Sequence, residues 1–136
     1  MKPLGNYPEL RRAGPVLHVS GMSARLVEGG CAGVQRDAQG RPLAYDVAEQ
    51  TRVVIRKIAA ALAAEGAGLG DCVSLSCYLL DMQDFAAFNQ AYGEFFSEAG
   101  GPARTTVAVH QLPHPEMRVE ITATAYQARA AAEPSA

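Results

Sequence analysis

The sequence predicts an α+β domain in which two helices pack on one face of a sheet. Segments with alternating apolar residues lie towards both ends of the chain, and two segments with helical spacing, separated by a further strand, lie between them. Strands and helices in this order are typical of a sheet that is covered on one face. No repeat or linker divides the 136 residues, a length typical of one domain. We therefore expect a single domain over residues 1–127 and a disordered tail of small and polar residues over 128–136.

Two strand-like segments come first. The sequence PVLHVSGMS, residues 15–23, alternates along its length and predicts a strand that ends at Gly21. Residues 29–45 predict a strand that turns at residues 37–40, because the Asp and Gly found there suit a tight turn.

The first helix is predicted from residue 46 to about residue 65, where apolar residues recur every three or four positions. Asp46 is expected to cap its N-terminus, and Gly66 and Gly68 follow its end, where glycine is favoured. The helix is therefore amphipathic. Its apolar stripe consists of Val47, Thr51, Val54, Ile55, Ile58 and Leu62.

The second half of the chain repeats the change from strand to helix. Residues 72–82 have a strand pattern, and residues 84–101 predict a second helix capped by Asp84. The apolar stripe of this helix is interpreted as core rather than as a cofactor site. The stripe consists of Phe85, Phe88, Tyr92, Phe95 and Ala99. Two strands follow at 105–112 and 118–127, joined by a turn that is bracketed by prolines.

Composition and charge exclude several classes of function. The net charge of -2 argues against a nucleic-acid-binding surface, which requires a basic patch. No apolar run has the length of a membrane span, and the N-terminus lacks the apolar core of a secretory signal. The three cysteines match neither a disulfide framework nor a zinc site. We therefore expect buried thiols in a cytoplasmic protein.

The last predicted strand has two chemically different faces. The apolar face is formed by Val119, Ile121, Ala123 and Ala125, and the polar face by Arg118, Glu120, Thr122, Thr124 and Tyr126. The apolar face is expected to meet the helices, so Glu120 lies on the other face, which is either solvated or covered by another subunit. In the preceding strand Arg104, Thr106, Ala108 and His110 share a face. Polarity alone leaves open which face of that strand meets the helices.

Four motifs along the chain resemble the RidA/YjgF family of reactive imine and enamine deaminases. They are SGMS at 20–23, DMQDFAAFNQAYGEFF at 81–96, PARTTVAV at 102–109 and VEITATAY at 119–126. The resemblance extends from Tyr7 to Tyr126, with the motifs in the family's order. Within the family, GNYPEL near the start and TTVAVHQLPHP near the end are most similar to the 2-aminomuconate deaminases.

The resemblance implies a fold, an assembly and a set of site residues. The implied fold is chorismate-mutase-like, with a mostly antiparallel sheet, and three subunits form a homotrimer with active sites in the clefts between neighbours. Arg104 of the PAR motif would hold the substrate carboxylate, and Glu120 of the VEI motif would assist the attacking water. The other cleft positions implied by matching motifs are Tyr7, Gly21, Asn89 and Thr106. A shared interface would explain a sheet face that carries both Arg104 and Glu120.

The chemistry of an enamine substrate explains these residue types. An enamine such as 2-aminomuconate tautomerises to an imine, which is already an electrophile and needs neither a metal nor an organic cofactor to be hydrolysed. A guanidinium binds a carboxylate through two parallel hydrogen bonds, and such charge-assisted bonds contribute about 1.5–3 kcal/mol. A positioned carboxylate that assists the water contributes on the order of 10²–10⁴ in rate.

A dicarboxylate substrate needs a second cation or hydrogen-bond donor at the far end of the cleft. The candidates in the sequence are Arg11, Arg12, Arg25, His110 and His114. For the two histidines, packing in the turn or exposure at the surface is an equally good interpretation. A metal site at these histidines is not supported, because their spacing crosses a turn that contains proline and is not helical.

Three functions remain open from the sequence. The first is a deaminase that converts 2-aminomuconate to 4-oxalocrotonate and ammonia. The second is a broad deaminase of 2-imino acids such as 2-aminoacrylate and 2-iminopropanoate, which needs Arg104 and Glu120 but neither the C-terminal histidines nor the N-terminal arginines. The third is a non-enzymatic trimer that binds small acids.

Overall fold

The computed structural model describes residues 2–128 and shows a five-stranded sheet with two α-helices packed on it. The strands are β1 (Leu10–Ala13), β2 (Val16–Met22), β3 (Val34–Arg36), β4 (Pro42–Tyr45), β5 (Cys72–Leu79), β6 (Ala103–Ala108) and β7 (Val119–Tyr126), and the helices are α1 (Val47–Ala63) and α2 (Phe85–Tyr92). The main sheet has the order β1-β2-β7-β5-β6, whereas β3 and β4 form a separate hairpin. Among the strand pairs formed by residues 2–128, only β5–β6 is parallel. The predicted α+β class with a mostly antiparallel sheet is confirmed. Of the predicted tail, 128–136, only Ala128 is among the described residues.

Helix α1 begins and ends where its sequence signals predict. The Asp46 side chain accepts a hydrogen bond from the backbone N–H of Glu49 at 3.0 Å, which satisfies a donor that the first turn would otherwise leave unpaired. Gly66, with a φ of +74°, adopts the left-handed conformation that commonly ends helices. The apolar stripe is buried, including Ile55, Ile58 and Leu62, none of which is exposed to solvent.

The core lies between α1 and the apolar face of the sheet. The α1 stripe packs in one cluster with Leu17 of β2, Leu75 of β5 and Ile121 of β7, all of which are buried. Each such side chain contributes about 1.5–3 kcal/mol through its burial. In β7 the apolar and polar residues alternate between buried and half-buried as predicted, which places Glu120 away from the core.

Helix α2 is shorter than predicted. It ends at Tyr92, whereas the apolar spacing predicted a helix as far as residue 101. Gly93, a poor helix former, follows it, and the backbone N–H groups of Phe95 and Phe96 both turn back to the carbonyl oxygen of Tyr92, at 3.0 and 3.2 Å. These tight turns bring Phe95 and Phe96 against the core without further helix, so the apolar spacing continues although the helix does not.

Strand β1 was not predicted from the sequence. It is only four residues long and contains two arginines, so its alternation is not distinctive. It pairs with β2 across a tight turn in which Gly14 has a φ of +59°. Arg12 anchors it, because its side chain donates to the Glu65 carboxylate and to the Gln127 side chain, each at 3.2 Å.

The strand order corrects one expectation that bears on the site. The sequence suggested that β6 and β7 are joined by a simple turn, but β5 lies between them in the sheet. The paired residues Leu75 and Arg104 share a face, and Leu75 is in the core, so Arg104 lies on the helix side. Tyr78 pairs with Glu120 on the opposite side. The expectation that one sheet face carries both Arg104 and Glu120 is therefore wrong.

Neither helix in the described part of the chain has the length and apolar content that crossing a bilayer requires.

Candidate active site

A pocket of about 270 Å³ brings together three of the predicted site residues, Tyr7, Gly21 and Glu120. It lies beside β2 and β7 and is closed on one side by the N-terminal segment and on another by α1. Ser20 fastens the N-terminal segment here, because its hydroxyl donates to the Pro8 carbonyl oxygen at 2.7 Å. The exposed ring of Tyr7 stands at the rim of this pocket.

Glu120 is the candidate acid–base group of the pocket. Within residues 2–128 its half-buried carboxylate has no hydrogen-bond or ion-pair partner. Burial raises its pKa above the ordinary value of 4.5. A carboxylate with free oxygens and a raised pKa is suited to accept a proton from water.

Gly21 makes room for this carboxylate. The register between β2 and β7 shifts between Val19 and Met22, and Gly21 lies in that irregular stretch beside Glu120. A Cβ atom at Gly21 would lie 2.8 Å from Oε2 of Glu120 and 2.9 Å from its Cδ, which is closer than carbon and oxygen atoms pack. The carboxylate therefore rests directly over the glycine backbone.

Three basic residues, Lys2, Arg25 and Lys57, also line the pocket. Lys57 of α1 donates from Nζ to the carbonyl oxygens of Ser23 and Arg25, at 2.7 and 2.6 Å. Burial lowers the pKa of Lys57, and the positive charge of Arg25 lowers it further. The sequence did not predict Lys57 as a pocket residue, because a lysine outside the apolar stripe of a helix gives no sign that its face borders a pocket.

Arg104 and Thr106 lie outside this pocket, on edge strand β6. The Arg104 guanidinium carbon is 4.7 Å from the ring centroid of Tyr92, 5.1 Å from that of Phe88 and 5.8 Å from that of Phe85. Such cation–π contacts fix the guanidinium without neutralising it. Among residues 2–128 it has no carboxylate partner. The Thr106 hydroxyl oxygen is buried and has no hydrogen-bond partner in the same part of the chain.

The α2 stripe therefore serves two purposes. Phe88 is buried in the core as predicted, whereas the rings of the exposed Phe85 and the half-buried Tyr92 also contact Arg104. Asn89, the predicted cleft residue of this helix, is half-buried and follows Phe88 in the chain. Like Arg104, it does not line the pocket around Glu120.

The two predicted histidines lie outside the pocket as well. His110 is exposed beyond the end of β6. Nδ1 of His114 accepts a hydrogen bond from the backbone N–H of Glu116 at 3.1 Å. Although Pro113 and Met117 on either side line the pocket, His114 itself is turned towards Cys31 and Glu116.

The cluster of Cys31, His114 and Glu116 is a structural joint. Their ligand-type atoms lie within 4.8 Å of one another. However, Arg36 donates to both carboxylate oxygens of Glu116, at 2.6 and 2.8 Å, and the Cys31 N–H donates to Oε1 at 3.0 Å. These bonds, led by that to Arg36, lower the pKa of Glu116 to about 2. The cluster therefore ties the 25–36 loop to the segment between β6 and β7.

Comparisons with known proteins agree with this architecture. The family model described as Endoribonuclease L-PSP matches residues 1–127. A RutC family protein of Pyrococcus horikoshii is 36% identical over 127 residues, which cover 93% of this chain and 90% of that protein.

Two solved structures are also similar. One is Rv2704 of Mycobacterium tuberculosis, described as a member of the YjgF/YER057c/UK114 family, with 29% identity, a TM-score of 0.71 and coverage of 88% of this chain and 86% of its own. The other is TdcF of Escherichia coli with bound serine, with 28% identity, a TM-score of 0.72 and coverage of 93% and 91%. TdcF is named for a proposed activity as a reactive intermediate deaminase.

Proposed function

This chain belongs to the RidA/YjgF family, and we propose that it is a deaminase that hydrolyses 2-aminomuconate to 4-oxalocrotonate and ammonia. The family membership supports the general activity, the hydrolysis of reactive imines and enamines. The observation that carries the chemistry is the half-buried carboxylate of Glu120 above Gly21, which has no partner among the described residues. The N-terminal GNYPEL and C-terminal TTVAVHQLPHP segments support the longer, dicarboxylate substrate.

In the proposed reaction Glu120 moves protons and the imine supplies the electrophile. Glu120 takes a proton from water as the water oxygen bonds to C2 of the imine. The protonated Glu120 then returns that proton to the nitrogen of the resulting carbinolamine. The hydroxyl proton then passes by way of Glu120 to the same nitrogen, the C–N bond breaks, ammonia leaves with the bonding electron pair, and the hydroxyl becomes a carbonyl. One water is consumed, and no electrons are exchanged with another reactant.

The carboxylate next to the imine carbon needs a cation. No residue of β6 lines the Glu120 pocket of one chain. Arg104 is the proposed ligand, with Thr106 and Asn89 nearby, and it lies on the other side of the sheet. It lies on an edge strand, where a neighbouring molecule can reach it. We therefore propose a homotrimer in which Arg104 of one subunit completes the Glu120 pocket of the next.

A broad 2-imino acid deaminase would use the same two residues on a shorter substrate, and it remains the alternative activity. The pocket of about 270 Å³ is larger than a three-carbon imine needs, which favours the longer substrate. RNA cleavage, which the description of the family model names, is not proposed for this chain, because its net charge is -2 and a nucleic-acid interface requires a basic surface.

The activity is tested with enzymatically generated 2-aminomuconate and, in parallel, with 2-iminopropanoate. Loss of the ultraviolet band and release of ammonia are followed for the wild type, Arg104→Ala and Arg56→Gln, the last a control because Arg56 is exposed on α1 and outside the pocket. We expect fast turnover of 2-aminomuconate that requires Arg104 and not Arg56. Turnover of 2-iminopropanoate alone would establish the alternative, and no turnover of either would favour the acid-binding protein.

The shared site is tested by mixing two inactive variants. Arg104→Ala and Glu120→Gln chains are unfolded together at equal amounts, refolded and assayed. If each site takes Arg104 from one chain and Glu120 from another, random mixing restores about a quarter of the wild-type sites. A site built within one chain would regain no activity in the mixture.

A further inference from the structure

We propose that Arg25 binds the distal carboxylate of the substrate and thereby makes the pocket selective for dicarboxylates. This inference rests on the proposed function and deepens it, because it assigns the second acid group to a residue. Arg25 lines the same pocket as Glu120. Among residues 2–128 its guanidinium makes one hydrogen bond, from Nη2 to the Lys2 carbonyl oxygen at 3.2 Å, and no ion pair.

The backbone of Arg25 is held firmly although its guanidinium is not neutralised. Its carbonyl oxygen accepts a hydrogen bond from Nζ of Lys57 at 2.6 Å, and the residue forms an isolated β-bridge with Cys31. The Cys31 N–H is in turn bonded to Glu116. A fixed backbone with an unpaired guanidinium is the arrangement expected of a preorganised anion-binding residue.

The charges around the pocket favour an anion at this end. Arg25 is close enough to Lys57 to lower its pKa, which shows that the two cations repel each other. Glu9, which also lines the pocket, already has an interaction partner and opposes this effect only in part. A carboxylate beside Arg25 would relieve the repulsion and gain a bidentate partner.

A six-carbon substrate carries a second acid group, which must lie elsewhere in the pocket that Glu120 and Arg25 both line. The two carboxyl carbons of an extended six-carbon chain are about 6 Å apart, whereas a three-carbon imino acid has no second carboxylate to reach Arg25. With the first carboxylate on Arg104 of a neighbouring subunit and C2 at Glu120, the remaining chain extends into the pocket.

The other candidates for the distal carboxylate are less suitable. Arg12 already binds the side chains of Glu65 and Gln127. The exposed Arg11 does not line the pocket, and neither do His110 and His114. Of the candidates from the sequence, Arg25 alone lines the pocket around Glu120.

The test measures binding of two stable ligands that differ only at the distal end. trans,trans-Muconate has carboxylates at both ends of a six-carbon diene, whereas sorbate has a methyl group in place of one of them. Calorimetric titration is carried out on the wild type, Arg25→Gln, Arg25→Lys and the matched control Arg56→Gln. We expect the wild type and the control to bind muconate about 10- to 100-fold more tightly than sorbate. Arg25→Gln should reduce this preference to about one, and Arg25→Lys should retain part of it.

The inference is overturned if the wild type does not prefer muconate, or if Arg25→Gln keeps the preference. Thermal melting checks that each variant is folded. If Arg25→Gln does not fold, Arg25→Lys decides: an undiminished preference in that variant contradicts bidentate binding, and a reduced one supports it. The failure of the proposed function is separate, since a wild type that binds muconate through Arg25 but does not deaminate 2-aminomuconate would be a dicarboxylate site serving another reaction.

Discussion

Replacing Gly21 by alanine should separate activity from stability. The new Cβ would lie 2.8 Å from Oε2 of Glu120, and ordinary van der Waals contact begins at 3.4 Å, so the carboxylate must move by about 0.6 Å. The group that moves is the flexible end of a side chain, which makes the move cheap for the fold. Alanine also restricts the unfolded chain more than glycine does, so we expect the free energy of unfolding to change by less than about 1 kcal/mol.

The same displacement should be costly for the reaction. If Glu120 must aim a water at the imine carbon, a shift of this size lowers kcat/KM by about 10- to 100-fold. The assay is steady-state turnover of 2-aminomuconate together with thermal melting of the same preparation. Gly68→Ala is the matched control, because its backbone does not require glycine and no atom lies within 4 Å of the added Cβ. Activity of Gly21→Ala within twofold of the wild type would refute the assignment of Glu120, and so would an equal loss in the control.

Three further predictions concern charged residues. Arg104→Lys should lower kcat/KM by about 10- to 100-fold while the elution volume on size exclusion is unchanged, since lysine lacks the guanidinium fork; full activity would contradict a bidentate carboxylate contact. Burial raises the pKa of Glu120, so the buried charge lowers the stability of the fold at pH values above that raised pKa. Below the ordinary value of 4.5 the group is protonated in both the folded and the unfolded chain, and this cost is absent. Glu120→Gln should therefore raise Tm at pH 7 but not near pH 4, and a gain that is independent of pH would count against a buried carboxylate. Glu116→Gln removes the bidentate pair with Arg36 and should lower Tm by about 3–6 °C at pH 7. This difference should shrink as the pH falls towards about 2, the pKa of Glu116. An unchanged Tm at pH 7 would show that the contact between Arg36 and Glu116 is dispensable.

The features that depend on local sequence could be predicted, and those that depend on strand order could not. The alternation of β7 decides by itself that Val119 is buried and that Glu120 is not in the core. The face of Arg104 depends instead on its pairing with Leu75, a residue of a different strand, and no local pattern in β6 reveals that pairing. The polarity of β6 is mixed on both faces, which is why its orientation stayed open.

Residues of the candidate pocket could be predicted where they belong to a recognisable motif. They could not be predicted where only the folding of the chain brings them to the pocket. Glu120, Gly21 and Tyr7 were identified from motifs, and the structure brings these three together. Lys57 was missed because a lysine on the polar face of a helix has the pattern of a solvated residue. His114 is a candidate from the sequence, but its ring accepts a hydrogen bond from the backbone of its own turn. Nothing in the sequence of a histidine between two prolines predicts that contact.

The separation of Arg104 and Glu120 by the sheet has a chemical consequence for each residue. If they shared a face at close range within one chain, they would form an ion pair, the pKa of Glu120 would fall, and Arg104 would be neutralised before substrate arrived. On opposite faces neither is neutralised by the other, and aromatic rings rather than a carboxylate hold the guanidinium. In the proposed assembly the two groups meet only across a subunit boundary, with the length of the substrate between them. Glu120 would then keep the basicity that the water needs, and Arg104 would keep the charge that the carboxylate needs, so in that assembly the division of the site between chains is a condition for the reaction.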